Sequence, residues 1–207
     1  GKYSAAAGSS TASDCIVCQT GRYVDVRGSS SCTLCSAGRF SAATGATAQA
    51  ECTMCPAGKY THVPGSEHCI SCPVGTYIDA YGSDSLMGCI DCPPGTFSGA
   101  TGSDELDDCI ECAAGRYVTT TASSSSAACI ACGAGKWHSS AGSSSPADCI
   151  DCAPGTYAET VGNQAADRCI GCEAGRWVDT TGSVNAAACI ECPAGKYLDS
   201  IGNDDVA

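Results

Sequence analysis

Large apolar side chains fall on a fixed beat in this chain and never gather into runs. An aromatic stands at Tyr23, Phe40, Tyr60, Tyr77, Phe97, Tyr117, Trp137, Tyr157, Trp177 and Tyr197; Tyr3 belongs to an earlier copy, and only Tyr81 lies outside the series. Two residues before each aromatic is a glycine, from Gly21 to Gly195. Five residues after it comes a second glycine, from Gly8 to Gly202, with Ala122 as the single exception. Stretches such as Tyr117–Thr120 and Trp177–Thr180 are aromatic and β-branched, which predicts a short strand leading to the second glycine as a turn. The polar segment that follows, rich in Ser, Asp, Asn and Ala, predicts a loop. No segment carries the period of a capped amphipathic helix. Asn185–Ala188 has room for a single helical turn.

Cysteines mark the period. Cys-x-x-Cys pairs begin at Cys15, Cys32, Cys52, Cys69, Cys89, Cys109, Cys129, Cys149, Cys169 and Cys189. Self-similarity at a fixed period is the signature of a repeat architecture. The copies span 15–31, 32–51, 52–68, 69–88, 89–108, 109–128, 129–148, 149–168, 169–188 and 189–207, preceded by the end of a truncated copy at 1–14. The last is cut short as well, so the protein is expected to continue in both directions. The short copies lose three residues in the loop tail, where deletion is best tolerated.

Composition sharpens this picture. The 43% hydrophobic content is mostly Ala and Cys, and the net charge is -12. Such a chain would ordinarily be disordered. Its 20 cysteines supply as crosslinks what burial cannot. The expected fold is therefore small and disulfide-rich: an elongated tandem-repeat rod of short β-hairpin-like units, with little or no helix and no conventional hydrophobic core. In such a rod the aromatics would pack on the disulfides and on the aliphatic residue after the first Cys (Ile70, Ile90, Ile110, Ile130, Ile150, Ile170, Ile190), forming a core one residue wide. Paired cysteines in this number imply an oxidising, extracellular or cell-surface location.

Charge is patterned too. Basic residues sit between glycine and aromatic (Lys2, Arg22, Arg39, Lys59, Arg116, Lys136, Arg176, Lys196). Acids gather around the Cys-x-x-Cys (Asp91, Asp108, Glu111, Asp148, Asp151, Glu191). Stacked copies would set a basic column beside an acidic one, or leave both as a solvated face. The acidic balance argues against a nucleic-acid partner. Membrane attachment is expected only through parts outside this chain.

The unit Cys-x-x-Gly-[Lys/Arg/Thr]-[Tyr/Phe/Trp] with a distant Cys, as in Cys55–Tyr60 to Cys69 and Cys92–Phe97 to Cys109, resembles the ephrin-receptor-like cysteine-rich repeat. It is also similar to the first sub-module of the tumour-necrosis-factor-receptor cysteine-rich domain. Long uniform arrays of this kind look like those of large algal and protist surface proteins. The resemblance implies an extracellular, disulfide-bonded rod without enzymatic activity. The chain lacks the extra cysteines of the six-cysteine receptor domain.

Three pairing schemes respect the repeat. The one the resemblance implies joins the second Cys of a copy to the first of the next: Cys18–Cys32, Cys35–Cys52, Cys55–Cys69, Cys72–Cys89, Cys92–Cys109, Cys112–Cys129, Cys132–Cys149, Cys152–Cys169 and Cys172–Cys189, with Cys15 and Cys192 pairing outside the chain. The second crosses neighbouring copies, as in Cys15–Cys32 with Cys18–Cys35. The third closes each Cys-x-x-Cys on itself. A zinc ribbon is the rival chemistry, because two Cys-x-x-Cys at this spacing suit a metal; the uniform series and the lack of His at ligand positions weigh against it.

Nothing points to catalysis. His62, His68 and His138 fall at unrelated register positions, and no phosphate-binding or nucleophile motif is present. The acids at Asp104, Glu105, Asp107, Asp108, Asp204 and Asp205 are oxygen ligands available to calcium, yet they fit no EF-hand and read as solvated charge. No cofactor is expected. Thr119–Thr121, Ser123–Ser126 and Ser143–Ser145 are either O-glycan sites or plain polar loops; Asn163, Asn185 and Asn203 lack a glycosylation sequon. The expected function is a structural segment of a filament, surface fibre or flagellar hair, self-associating or bound to other chains of an extracellular assembly. The alternative is the stalk or ligand-recognition ectodomain of a receptor or adhesin, using Tyr81, Leu86 and Met87 or the irregular Thr119–Ala128.

Overall fold

The computed structural model describes residues 1–5, 11–203 and 205. Gly8 and Asp204, singled out above, lie outside them. The described residues form ten two-stranded antiparallel sheets, each strand two residues long. Each sheet spans a copy boundary. Arg116–Tyr117 pairs with Ile130–Ala131, and Lys136–Trp137 with Ile150–Asp151. The strand therefore covers the basic residue and the aromatic, and its partner lies between the cysteines of the next copy. This corrects the longer strand expected over Tyr117–Thr120 and over Trp177–Thr180. The strand ends after the aromatic because the Val118 and Val178 amides donate instead to Ser143 O (3.1 Å) and Asn203 O (3.3 Å), with both side chains buried.

The only helical elements among the described residues are three-residue 3-10 turns ahead of a first Cys, such as Leu86–Gly88, Ser126–Ala128 and Ala186–Ala188. At the last of these, the Asn185 side chain accepts a bond from the Ala187 amide, the N-cap role suited to Asn. No such turn precedes Cys32 or Cys69. The three residues missing from the short copies are this turn, so the rest of the repeat survives their loss.

By contact the chain divides into two units, Gly1–Cys92 with Ser98–Cys109, and Pro93–Phe97 with Ile110–Ala207. Within each, neighbouring copies are joined by backbone bonds in one recurring set. In the second unit, Gly135 N–H donates to Ala158 O (2.8 Å), Ala158 N–H to Ser183 O (3.0 Å), Cys152 N–H to Gly135 O (2.8 Å) and Gly182 N–H to Cys152 O (2.9 Å). The first unit repeats the pattern through Gly38, Thr61, Cys55 and Gly82. The first glycine of a copy needs both a left-handed backbone and the absence of a side chain. At Gly135, φ is +76°, and a Cβ would stand 2.2 Å from the carbonyl oxygen of Gly182.

The interior differs from the expected column of aromatics and isoleucines. The second Cys of a copy is fully buried almost throughout, and beside it lies the residue after the aromatic (Val24, Ser41, Thr61, Ile78, Ser98, Val118, Ala158, Val178). The aromatics flank this line. Tyr23 and Tyr60 enter it, while Phe97 and Tyr157 pack against the Cys112–Val118–Cys129 and Cys172–Val178–Cys189 clusters. Phe40, Tyr77, Tyr117, Trp137 and Trp177 are half-buried, and Tyr197 is exposed. Each isoleucine stands opposite an aromatic, as Ile130 faces Tyr117, yet Ile70, Ile90, Ile110, Ile130, Ile150, Ile170 and Ile190 are all exposed. Residues directly opposite in a strand pair share one face of the sheet. On that face the aromatic can turn toward the neighbouring staple, as Phe97 does toward Cys112 and Cys129, while the isoleucine opposite it stays exposed.

Candidate functional site

The chemistry of the array is concentrated in its staples. Nine disulfides run from the second Cys of one copy to the first of the next: Cys18–Cys32, Cys35–Cys52, Cys55–Cys69, Cys72–Cys89, Cys92–Cys109, Cys112–Cys129, Cys132–Cys149, Cys152–Cys169 and Cys172–Cys189. The bonded residues are 14 apart across a short copy and 17 across a long one. Cys15 and Cys192 have no disulfide partner among the described residues. With the other cysteines bonded to each other, no Cys-x-x-Cys pair is left as thiolates, the form that binds zinc.

Three arginines of the basic column brace these staples. The Nη1 of Arg39 and of Arg116 donates to the carbonyl of the first Cys of the next copy (Cys52 and Cys129, each 2.8 Å), and Arg176 does the same to Cys189 at 3.3 Å. Where threonine replaces the base, its hydroxyl turns inward to its own loop, Thr76 to Pro73 O and Thr96 to Pro93 O, both 2.8 Å. The opposing acidic column completes two rungs: Lys136 with Asp151, and Arg176 with Glu191 at 2.9 Å. Both pairs are well exposed, so each contributes at most about 1 kcal/mol.

Other acids serve their own loops. The Asp104 amide donates to Asp108, and the Ser145 amide to Asp148. The Glu51 carboxyl accepts from the Thr47 amide (2.7 Å) and the Thr47 hydroxyl (2.8 Å), and the pKa of Glu51 is lowered, chiefly by the amide. His62 lies against the Tyr60 ring with centroids 6.4 Å apart, and His68 sits 3.7 Å from Glu67. His138 occupies the column after the aromatic, with its Nδ1 buried and unpartnered. No two histidines meet. Of the O-glycan candidates, Thr119–Thr121, Ser124–Ser126 and Ser144 are exposed, Ser145 is half-buried, and Ser123 and Ser143 are buried.

Two surface features interrupt the uniformity. The first is apolar: Tyr81 is 70% exposed, Leu86 51% and Met87 93%. The second is a groove at one register position, formed by the aromatic of one copy, the arginine of the next and the turn before the following Cys. It is 410 Å³ beside Phe97 and Arg116, and 170 Å³ beside Tyr157 and Arg176. A third, of 420 Å³, adjoins Tyr3 and Arg22. Sequence reasoning missed these grooves. Their signal at the first two is an arginine in the basic column with a small-residue turn ten positions on, Ser126–Ala128 after Arg116 and Ala186–Ala188 after Arg176.

A family model described as tyrosine-protein kinase ephrin type A/B receptor-like matches residues 1–52, 46–86, 80–129 and 99–149, and these overlapping spans cover well over half of the chain. No curated protein matches it.

Proposed function

Because the chain belongs to the ephrin type A/B receptor-like family of cysteine-rich repeats, we propose that it is a load-bearing segment of an extracellular assembly: a disulfide-stapled rod that builds a filament, surface fibre or flagellar hair. The disulfides and the family point to an extracellular receptor-type or structural segment, and the finer assignment rests on one observation. The same backbone bonds and the same staple recur from copy to copy within each unit. Each staple closes a loop worth about 3 kcal/mol in the chain-entropy model. Stiffness then passes between neighbours without a large core. In this reading the chain has no catalytic role and needs no cofactor. Its partners are other copies of itself or further chains of the assembly, with O-linked sugar carried on the exposed Thr119–Thr121 loop.

Electron microscopy of native, unreduced material tests this. Regular filaments with an axial repeat are the expected result. Isolated rods of molecular length would overturn it in favour of a receptor or adhesin ectodomain. That second reading draws support from the exposure of Tyr81 and Met87.

A further inference from the structure

We propose that the Leu86–Met87 turn of one chain docks into the groove between Phe97, Arg116 and Ala127 of a second copy of this chain. The inference rests on the reading that chains associate with one another, and it adds the contact that joins them. Knob and groove are the same element of the repeat built with different residues. In copy 69–88 the 3-10 turn is Leu86–Gly88, held by the Ser85 hydroxyl accepting from the Met87 amide at 3.1 Å. It projects Leu86 and Met87 into solvent. In copy 109–128 the equivalent turn is Ser126–Ala128, and the 410 Å³ groove opens beside its small side chains. One turn offers an apolar projection of one or two side chains. The other offers a cavity of the size to receive it.

Charge agrees with shape. Arg116 lines the groove with one Nη anchored on Cys129 O, so its cation is fixed in place at little further entropic cost. Asp84, exposed and two residues ahead of Leu86, supplies the carboxylate on the knob. Glu111 also lines the groove and disfavours a more acidic occupant. Met, Phe and Arg, which this contact would bring together, are residue types enriched at protein interfaces. The other grooves fit less well. That beside Arg176 is 170 Å³, with its guanidinium already held by Glu191, and that beside Arg22 presents Gln19 and Ser31 where this one presents Ala113 and Ala127. Knob and groove are different surfaces, so the contact is heterologous. Each docking leaves one free knob and one free groove, which permits continued growth.

Sedimentation velocity of the 207-residue chain over a concentration series tests the contact. Met87→Glu removes the knob and Ala127→Trp fills the groove. Both positions are exposed, and an unchanged free-thiol count verifies the fold. Each variant alone is expected to associate about thirtyfold more weakly than the wild type. Mixed together, they should stop at a one-to-one complex, because only one knob and one groove remain. Asp84→Arg and Arg116→Asp should each weaken association, and the double variant should recover it. If the wild type associates and the variants do so equally well, this interface is overturned and the filament reading stands. A wild type that stays monomeric throughout removes both.

Discussion

Replacing Gly135 by Ala tests the claim that the stack is held by backbone contact between copies. Two effects act at once. Alanine in the left-handed region, at φ +76°, costs about 1–2 kcal/mol. Its Cβ would also stand 2.2 Å from the Gly182 oxygen, a main-chain atom that no side-chain rotation can move. Relieving that overlap separates the copies and gives up the bonds Gly135 N–H to Ala158 O and Cys152 N–H to Gly135 O, at about 1 kcal/mol each. The sum is about 3–4 kcal/mol. Two companions separate the effects. In the 207-residue chain Gly175 has φ +81° but no described atom within 4 Å of its Cβ position, so Gly175→Ala in that chain carries the conformational cost alone. Gly133 has neither constraint, and Gly133→Ala should be neutral. Unfolding of a repeat array is not two-state, so the measurement must be local. Native-state hydrogen exchange at the Cys152 amide reports on Gly135, and exchange at the Cys192 amide, bonded to Gly175 O, reports on Gly175. Exchange at Cys152 should accelerate by about two to three orders of magnitude in Gly135→Ala, against roughly tenfold at Cys192 in Gly175→Ala. Equal accelerations at the two sites would refute contact between the glycine columns as the joining force.

The remaining predictions concern other parts of the same construction. Ala122 is the one non-glycine with positive φ among the described residues, at 54°, so Ala122→Gly should stabilise its copy by about 0.5–1 kcal/mol, read as slower exchange of the surrounding amides. Titration of thiols in the 207-residue chain should find at most Cys15 and Cys192, with no increase on adding a chelator; a chelator-dependent rise would restore the zinc reading. The depressed pKa of Glu51 means that its contribution is present above the unfolded carboxyl pKa and is lost as pH falls through the lower, folded value. Thr47→Val removes the hydroxyl bond but keeps the amide bond, so the Glu51 carboxyl resonance should titrate only part of the way back toward the ordinary pKa. Glu191→Gln breaks an exposed pair with Arg176 and should cost less than about 1 kcal/mol, vanishing at high salt.

Why some of this was legible in the sequence, and some not, follows from how narrowly each position is specified. Cys112 and Gly115 meet demands that no other side chain meets, a staple and a left-handed turn against a carbonyl, so their columns stand out unaided. The buried column after the aromatic holds Thr61, Ile78, Ser98, Val118 and Ala158, which share no chemistry. The structure explains this: Ala158 is gripped on both sides by backbone bonds, to Ser183 and from Gly135, so its place does not depend on its side chain. The isoleucine column misled for the opposite reason. Ile130 looks like core because it recurs, but recurrence alone fixes it only opposite Tyr117 on an open face. The groove beside Arg116 required knowing that the strand Arg116–Tyr117 pairs with the next copy, which the spacing of residues within one copy does not reveal. A chain whose copies are joined chiefly through backbone and disulfide has freed its outward side chains from folding. It is on those freed positions, Leu86–Met87 in one copy and Ser126–Ala128 in another, that differences between otherwise equal repeats can carry recognition.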